Sequence, residues 1–283
     1  MQDLVGILGF FSFCLGACVA SFLNVVIWRV PRGESIVSPP SHCPKCGAAI
    51  RWRQNVPILS WLALRGRCAS CKAPISPRYI LVEALGGCLF LAAFLRPWDA
   101  DFSYVPLAVH LVVMWTWISL MLVGSMIDFD RRLLPDFVTV GGMALGLLYW
   151  LILSLSCRNF SFDLDWRSFL PLAWSVSGLV FGFWLMWLVR WLGTKAFRRE
   201  AMGMGDVFLM GAVGALFGPV AVIVTLALSS LFGSVVGLAL LALSKARFGR
   251  FVEIPYGPYI CMGCLAWMFC GNELVAWYLS LFR

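Results

Sequence analysis

Charge is what this chain has least of. Asp, Glu, Lys and Arg make up 13% of its 283 residues, against 61% hydrophobic residues, and the mean hydropathy is +0.87. That balance is incompatible with a soluble globular chain. No Gly-rich dinucleotide-type motif follows a predicted strand, so a Rossmann-like cofactor site is not legible. The first apolar run has no basic flank ahead of it and no small-residue cleavage site, and it continues into Asn24 and Arg29. It is therefore expected to stay as a membrane span and not to be removed as a signal peptide. The fold class that remains is an all-α polytopic membrane protein.

A membrane-crossing helix needs roughly 17 to 25 apolar residues. Such runs stand at 4–28, 79–95, 106–127, 137–156, 169–189, 220–243 and 258–280, with a shorter one at 206–218 that Gly218-Pro219 breaks from its successor. If the short run also crosses, there are about eight spans and the basic residues segregate. One side carries 18 of the 22 Lys and Arg, and the other keeps only Arg96, Arg158, Arg167 and Arg283. By the positive-inside rule the rich side is cytoplasmic, which puts both termini outside. The formal charge of +8 then needs no nucleic acid to explain it. Trp28, Trp98 and Trp166, near span ends, read as interfacial anchors.

The expected organisation is a first span (1–28), a polar, basic cytoplasmic loop domain (29–78) and a seven-helix membrane domain (79–283). The loop holds Cys43-Pro44-Lys45-Cys46-Gly47 and Cys68-Ala69-Ser70-Cys71-Lys72, two C-x-x-C pairs with 21 residues between them. Each pair points two thiolates at one tetrahedral ion, and four soft ligands with no open position suit a structural, zinc-ribbon-like zinc site. Two disulfides or a redox pair are the competing reading, disfavoured in a reducing cytosol. Some 50 residues have too little core to fold alone, so ligation would supply folding energy. His42 reads as a surface residue beside a complete shell. Cys14, Cys18, Cys88, Cys261, Cys264 and Cys270 lie in apolar runs and Cys157 near an external loop; buried Cys behaves as a small hydrophobe.

Asp206 ends Gly203-Met204-Gly205-Asp206 and opens an apolar run, and Asp128 closes another. An Asp costs on the order of 2.5 to 3.5 kcal/mol at the centre of a spanning helix and less near its edge, and such residues mark functional sites. Both lie at the cytoplasmic ends of their spans, the arrangement that a two-carboxylate site requires. Asp206 as an ordinary helix cap is the bland alternative, with Gly203 and Gly205 as packing residues. Asp136, after Pro135, suits capping of the next helix, and Asp130, beside Arg131 and Arg132, a solvated charge.

Taken together and in order, these segments resemble the prepilin peptidases, the bifunctional leader peptidases and N-methyltransferases of type IV pilus and type II secretion systems. The likeness runs through residues 21–31, 40–46, 65–71, 78–83, 128–136, 202–206 and 254–259, including Pro255-Tyr256-Gly257-Pro258. It implies that Asp128 and Asp206 are the catalytic pair of a G-x-G-D intramembrane aspartic protease, supported by Gly203 and Gly205. It also implies that Pro255, Gly257 and Pro258 form a loop beside the active site. Tyr256 stands where family members often have Phe.

Two close carboxylates in a poorly solvated site share a proton, so that one activates water while the other hydrogen-bonds the scissile carbonyl. The implied substrate is a prepilin or pseudopilin with a basic leader, cut after a Gly ahead of an apolar helix. The leader's charge would be met by lipid headgroups or by acids such as Glu34, Glu200 or Glu253. Methylation of the new amine by S-adenosylmethionine is also implied, with Glu34 or Glu83 as candidate contacts and the zinc loop as a substrate holder. A pairing of Glu83 with Arg78 is the rival reading. Three alternatives stay open: a peptidase without methyltransferase activity, a zinc-stabilised membrane scaffold of the secretion machinery, and a proton-coupled transporter using its Asp residues.

Overall fold

A computed structural model of the chain describes residues 2–96, 107–156, 170–200, 202–243 and 255–282. Its helices are α1 (Gln2–Arg29), α2 (Leu59–Ala63), α3 (Arg78–Leu95), α4 (Leu107–Arg131), α5 (Asp136–Ser156), α6 (Leu170–Phe197), α7 (Met204–Leu243) and α8 (Gly257–Ser280). All but α2 are long and apolar enough to cross a membrane, seven among the described residues. Cys157, Trp98, Trp166, Glu253, Arg158, Arg167, Lys245, Arg247, Arg250 and Arg283 lie outside the described residues.

The sequence expectation of about eight spans differs from seven by one break. Gly218, inside α7, has φ 82 and ψ 179, and Pro219 follows it. A straight helix would separate Met210 from Val222 by about 18 Å. Instead a Cβ placed on Gly182 of α6 would lie 2.5 Å from the Met210 carbonyl oxygen and 3.2 Å from Val222 Cγ2. One turn earlier on α6, Gly178 sits against both Gly214 and Gly218. The chain therefore reverses at Gly218, and α7 is a hairpin of a short arm (204–217) and a long one (219–243). A reversal strands the last carbonyls of the first arm. Two side chains take them: Ser175 Oγ donates to Ala215 O at 2.6 Å and Trp150 Nε1 to Leu216 O at 2.8 Å. Pro219 has no amide to satisfy and is suited to open the second arm.

The chain divides into two compact units, Met1–Trp98 with Met114–Val123, and Asp99–Val113 with Gly124–Arg283. In the first, α1 and α3 meet through small residues: a Cβ on Gly16 would lie 2.6 Å from Gly86 O, and one on Gly86 2.5 Å from Ala20 Cβ. Close backbone approach of this kind stands in for the hydrophobic drive that lipid removes. Asn24 donates to Tyr79 O at 3.3 Å, and Trp115 stacks on Phe90 with centroids 5.3 Å apart. The loop is pinned by buried Arg29, whose guanidinium donates to Ser35 O and Pro39 O at 2.9 and 2.8 Å.

In the second unit the α7 hairpin packs on α5, α6 and α8. Its short arm is the most deeply buried stretch among the described residues, with Val207, Leu209, Met210, Ala212, Val213 and Ala215 fully inaccessible. His110 and Tyr149, also buried, meet at 2.8 Å between α4 and α5.

Candidate active site and metal centre

Asp128 lies one turn from the end of α4 and Asp206 in the first turn of α7. Both are buried, 6% and 8% exposed, although each stands within reach of a polar loop. They are close enough to act on each other electrostatically. Asp128 Oδ2 accepts the backbone N–H of Gly257 at 3.1 Å, the first amide of α8. That amide has no partner inside its own helix, and the positive end of α8's dipole faces the carboxylate. Arg132 also acts on Asp128 electrostatically, while its own N–H closes the end of α4 on Asp128 O at 2.8 Å.

One side chain, Leu134, fits these pieces together. A Cβ on Gly205 would lie 2.9 Å from Leu134 Cβ, one on Gly257 3.3 Å from Leu134 Cδ1, and one on Gly124 3.5 Å from Leu134 Cδ2. Three backbones that carry or adjoin the two carboxylates thus converge on Leu134. Gly257 is doubly constrained, since its Cβ would also lie 2.7 Å from Asp128 Oδ2. Gly257 and Pro258 are buried and Pro255 half-buried. Gly203 is exposed, with Asp206 Oδ2 3.9 Å from where its Cβ would stand.

The segment leading into Gly203 is tied by Arg190 of α6, which donates to Met202 O at 2.9 Å and lies 3.6 Å from Glu200. Asp136 is the first residue of α5, where an acid favours the dipole, and the Pro135 carbonyl takes the amides of Val138 and Thr139. Asp130 is exposed. Cys261, one turn into α8 and fully buried, is within electrostatic range of both carboxylates, a neighbour that spacing along the chain did not reveal.

In the first unit, the Sγ atoms of Cys43, Cys46, Cys68 and Cys71 lie within 4.8 Å of one another, so the four could hold a metal ion. Cys43 and Cys71 approach to 3.9 Å, a thiol–thiol contact and not a disulfide. The two C-x-x-C turns are built alike. Cys43 N–H donates to Ala48 O and Gly47 N–H returns to Cys43 O; Cys68 N–H donates to Ala73 O and Lys72 N–H returns to Cys68 O. Gly47 and Lys72 occupy the same left-handed position, φ 68 and 59, and the bridges His42–Ala49 and Arg67–Pro74 close the two turns.

Backbone amides of Lys45 and Cys46 hold the Cys43 thiol below its usual range, and those of Cys71 and Ser70 bring Cys68 down to about 6. The Ala48 amide pulls on Cys46 in the same sense, but the Cys71 thiol, burial and the remaining thiols outweigh it and push Cys46 up to about 11. His42 points Nδ1 at Pro40 O, 3.1 Å away, and is not among the four.

Of the two candidate cofactor contacts, Glu34 is exposed. Glu83 is buried, and its Oε2 accepts the Ile58 N–H at 2.8 Å. Ile58 is bent to φ 63 and ψ −55, with Leu59 N–H closing a three-residue turn on Pro57 O at 2.6 Å.

Two buried acids at the ends of separate membrane-length helices form a candidate acid pair in a polytopic membrane protein whose first unit also carries a four-thiol loop. The Bacterial Peptidase A24 N-terminal domain matches residues 14–97 and the Type IV leader peptidase family matches residues 115–238. A prepilin leader peptidase/N-methyltransferase of Stutzerimonas stutzeri is 36% identical over 96% of this chain and 94% of its own length. The protein of that name from Pseudomonas aeruginosa is 33% identical over 95% and 92%. That from Myxococcus xanthus is 41% identical over 78% of this chain and 59% of its own. No solved structure matches the chain. The chain belongs to the type IV leader peptidase family.

Proposed function

We propose that this protein cleaves the leader from type IV prepilins or pseudopilins by hydrolysis at Asp128 and Asp206, and then N-methylates the new N-terminal residue. The observation that carries the cleavage reading is the pair itself: two buried carboxylates from α4 and α7 within charge–charge range, one of them gripped by the Gly257 amide. Such a pair shares a proton. The ionised Asp draws a proton from water as the water attacks the scissile carbonyl, and the protonated Asp hydrogen-bonds the carbonyl oxygen. The tetrahedral species then collapses, with the proton passing to the leaving amine and no acyl-enzyme formed. Gly205 and Gly257 support the site, because a side chain on either would crowd Asp128 or Leu134, and Gly203, Pro255 and Pro258 are the supporting residues that flank them in the chain.

The protein is a multi-pass bacterial membrane protein of the inner membrane. The asymmetry of Lys and Arg supports a cytoplasmic loop 29–78, cytoplasmic carboxylates and periplasmic termini. A prepilin leader would then wait in the cytosol while its apolar helix sits in lipid.

The four-Cys centre suits structural zinc. A tetrahedral ion with Zn–S bonds of about 2.3 Å sets thiolates about 3.8 Å apart, close to the 3.9 Å between Cys43 and Cys71. S-adenosylmethionine would supply the methyl group. Buried Glu83 is the contact we favour over exposed Glu34, since a carboxylate withdrawn from water suits a sulfonium or ammonium cation. Glu83→Gln keeps an oxygen for the Ile58 amide and removes only the charge. Loss of methylation with intact cleavage and weakened S-adenosylmethionine binding is expected, and unchanged methylation and binding would remove Glu83 from the methyl-transfer site.

The test of the whole reading uses purified enzyme and a prepilin, with and without S-adenosylmethionine. The product mass should fall by the leader and rise by one methyl. Asp128→Asn and Asp206→Asn should each abolish cleavage in a protein that still inserts; processing by either would refute the assignment.

A further inference from the structure

The amide that grips Asp128 belongs to the first turn of α8, so its placement depends on what anchors that turn. Tyr256 is the residue at the helix start; its backbone is already helical and its side chain caps nothing there. The ring instead crosses to the long arm of α7, beside Gly233. Its hydroxyl lies 2.7 Å from Ser229 Oγ and 3.3 Å from Ser230 Oγ.

The direction of these bonds can be worked out. Ser229 is fully buried and donates its one proton to Leu226 O at 3.0 Å. In the 2.7 Å contact Tyr256 is therefore the donor, and Ser229 accepts. An O–H donor that is buried on one side and oriented by a serine of fixed rotamer is a stiff tether. The next residue along the chain is Gly257, whose N–H reaches Asp128 Oδ2. A tether on residue 256 fixes where the amide of residue 257 points.

Accepting Asp128 as half of the hydrolytic pair, we propose that Tyr256 is a positioning residue for cleavage: its hydroxyl, locked onto Ser229 of α7, sets the register in which the Gly257 amide meets Asp128. The hydroxyl touches no reacting atom. Its effect falls on the chemical step, because the aim of the Gly257 amide decides how Asp128 is held as the water attacks. Misplacement by about 1 Å can cost on the order of 100-fold in rate, and loss of the hydroxyl tether with the α8 backbone still in place should cost less.

The experiment measures kcat and KM for prepilin cleavage by full-length enzyme carrying Tyr256→Phe, Ser229→Ala, and both. Each single change should lower kcat about tenfold at unchanged KM. The double variant should be no slower than the worse single one, because both remove the same bond. Thermal stability is followed in parallel, and Ser229→Ala serves where Tyr256→Phe folds poorly. Wild-type kcat in Tyr256→Phe, losses that multiply in the double variant, or a rise in KM alone would each overturn the proposal. Cleavage by Asp128→Asn would sink the underlying pair, whereas an inactive Asp128→Asn beside a fully active Tyr256→Phe would sink only the tether.

Discussion

Adding one methyl group at Gly205 should slow the enzyme far more than it destabilises it. A Cβ there would stand 2.9 Å from Leu134 Cβ, 3.3 Å from Cδ1 and 3.6 Å from Cγ, whereas carbon atoms pack at about 3.5 to 4.0 Å. Leu134 has little room to retreat on this side, because its two methyl groups already stand over Gly257 and Gly124. The first turn of α7 must move instead, by several tenths of an ångström, and Asp206 is the next residue. Overpacking of this kind costs about 1 to 3 kcal/mol in stability, and a shift approaching 1 Å at a reacting group costs on the order of 100-fold in rate. Gly205→Ala is therefore expected to cleave prepilin at about one-hundredth to one-tenth of the normal rate, read from the product mass over time, while remaining inserted and folded. Leu134→Ala removes Cγ and both methyl groups and lets the remaining Cβ give way. Added to Gly205→Ala, it should restore a measurable part of the lost rate. Wild-type cleavage by Gly205→Ala, or no gain from the second change, would refute the argument.

Gly218→Ala should lower the melting temperature. Its φ of 82 and ψ of 179 lie where a side chain costs on the order of 1 to 3 kcal/mol, and the new methyl would meet the Trp174 ring. Gly141→Ala, in α5 with nothing within 4 Å of the added atom, is the control and should be neutral or stabilising; equal melting losses would contradict the hairpin. Metal analysis should find one zinc per chain. A strong chelator should remove it and open loop 29–78 to protease, and Cys46→Ser should lower the metal content; full occupancy in that variant would exclude Cys46 as a ligand.

Much of this was legible in the sequence, for physical reasons that differ from feature to feature. Membrane runs are long and uniform, and Gly218-Pro219 with the distribution of Arg and Lys already separated the two arms of α7. The Cys spacing announced a four-thiol cluster, and the repeat in backbone bonding follows from Cys43 and Cys68 opening similar turns. The grip on Asp128 was not legible, because its donor lies 129 residues away and a backbone amide leaves no mark in a sequence. Leu134 carried no signal of its own in the sequence, since its importance lies in three glycine backbones that only folding brings to it. For Glu83 the sequence offered cofactor contact or, as the rival reading, a pairing with Arg78; the Ile58 amide that it accepts is set by the strained turn at Ile58 and was not legible. The Tyr256 hydroxyl looked like a mild departure from Phe until Ser229 and Ser230 were placed beside it.

The short arm of α7 runs from 204 to 217, about 20 Å at 1.5 Å per residue, in a bilayer whose hydrocarbon is about 30 Å thick. Both of its ends cannot reach water across an undeformed membrane. The Gly218 end has no need of it, since Ser175 and Trp150 supply the hydrogen bonds that solvent would otherwise provide. The reversal can therefore float in oil, and the whole mismatch is assigned to that side. On the proposed reading, this leaves the Asp206 end toward the hydrated side, and the water consumed by hydrolysis does not have to cross the lipid to approach it.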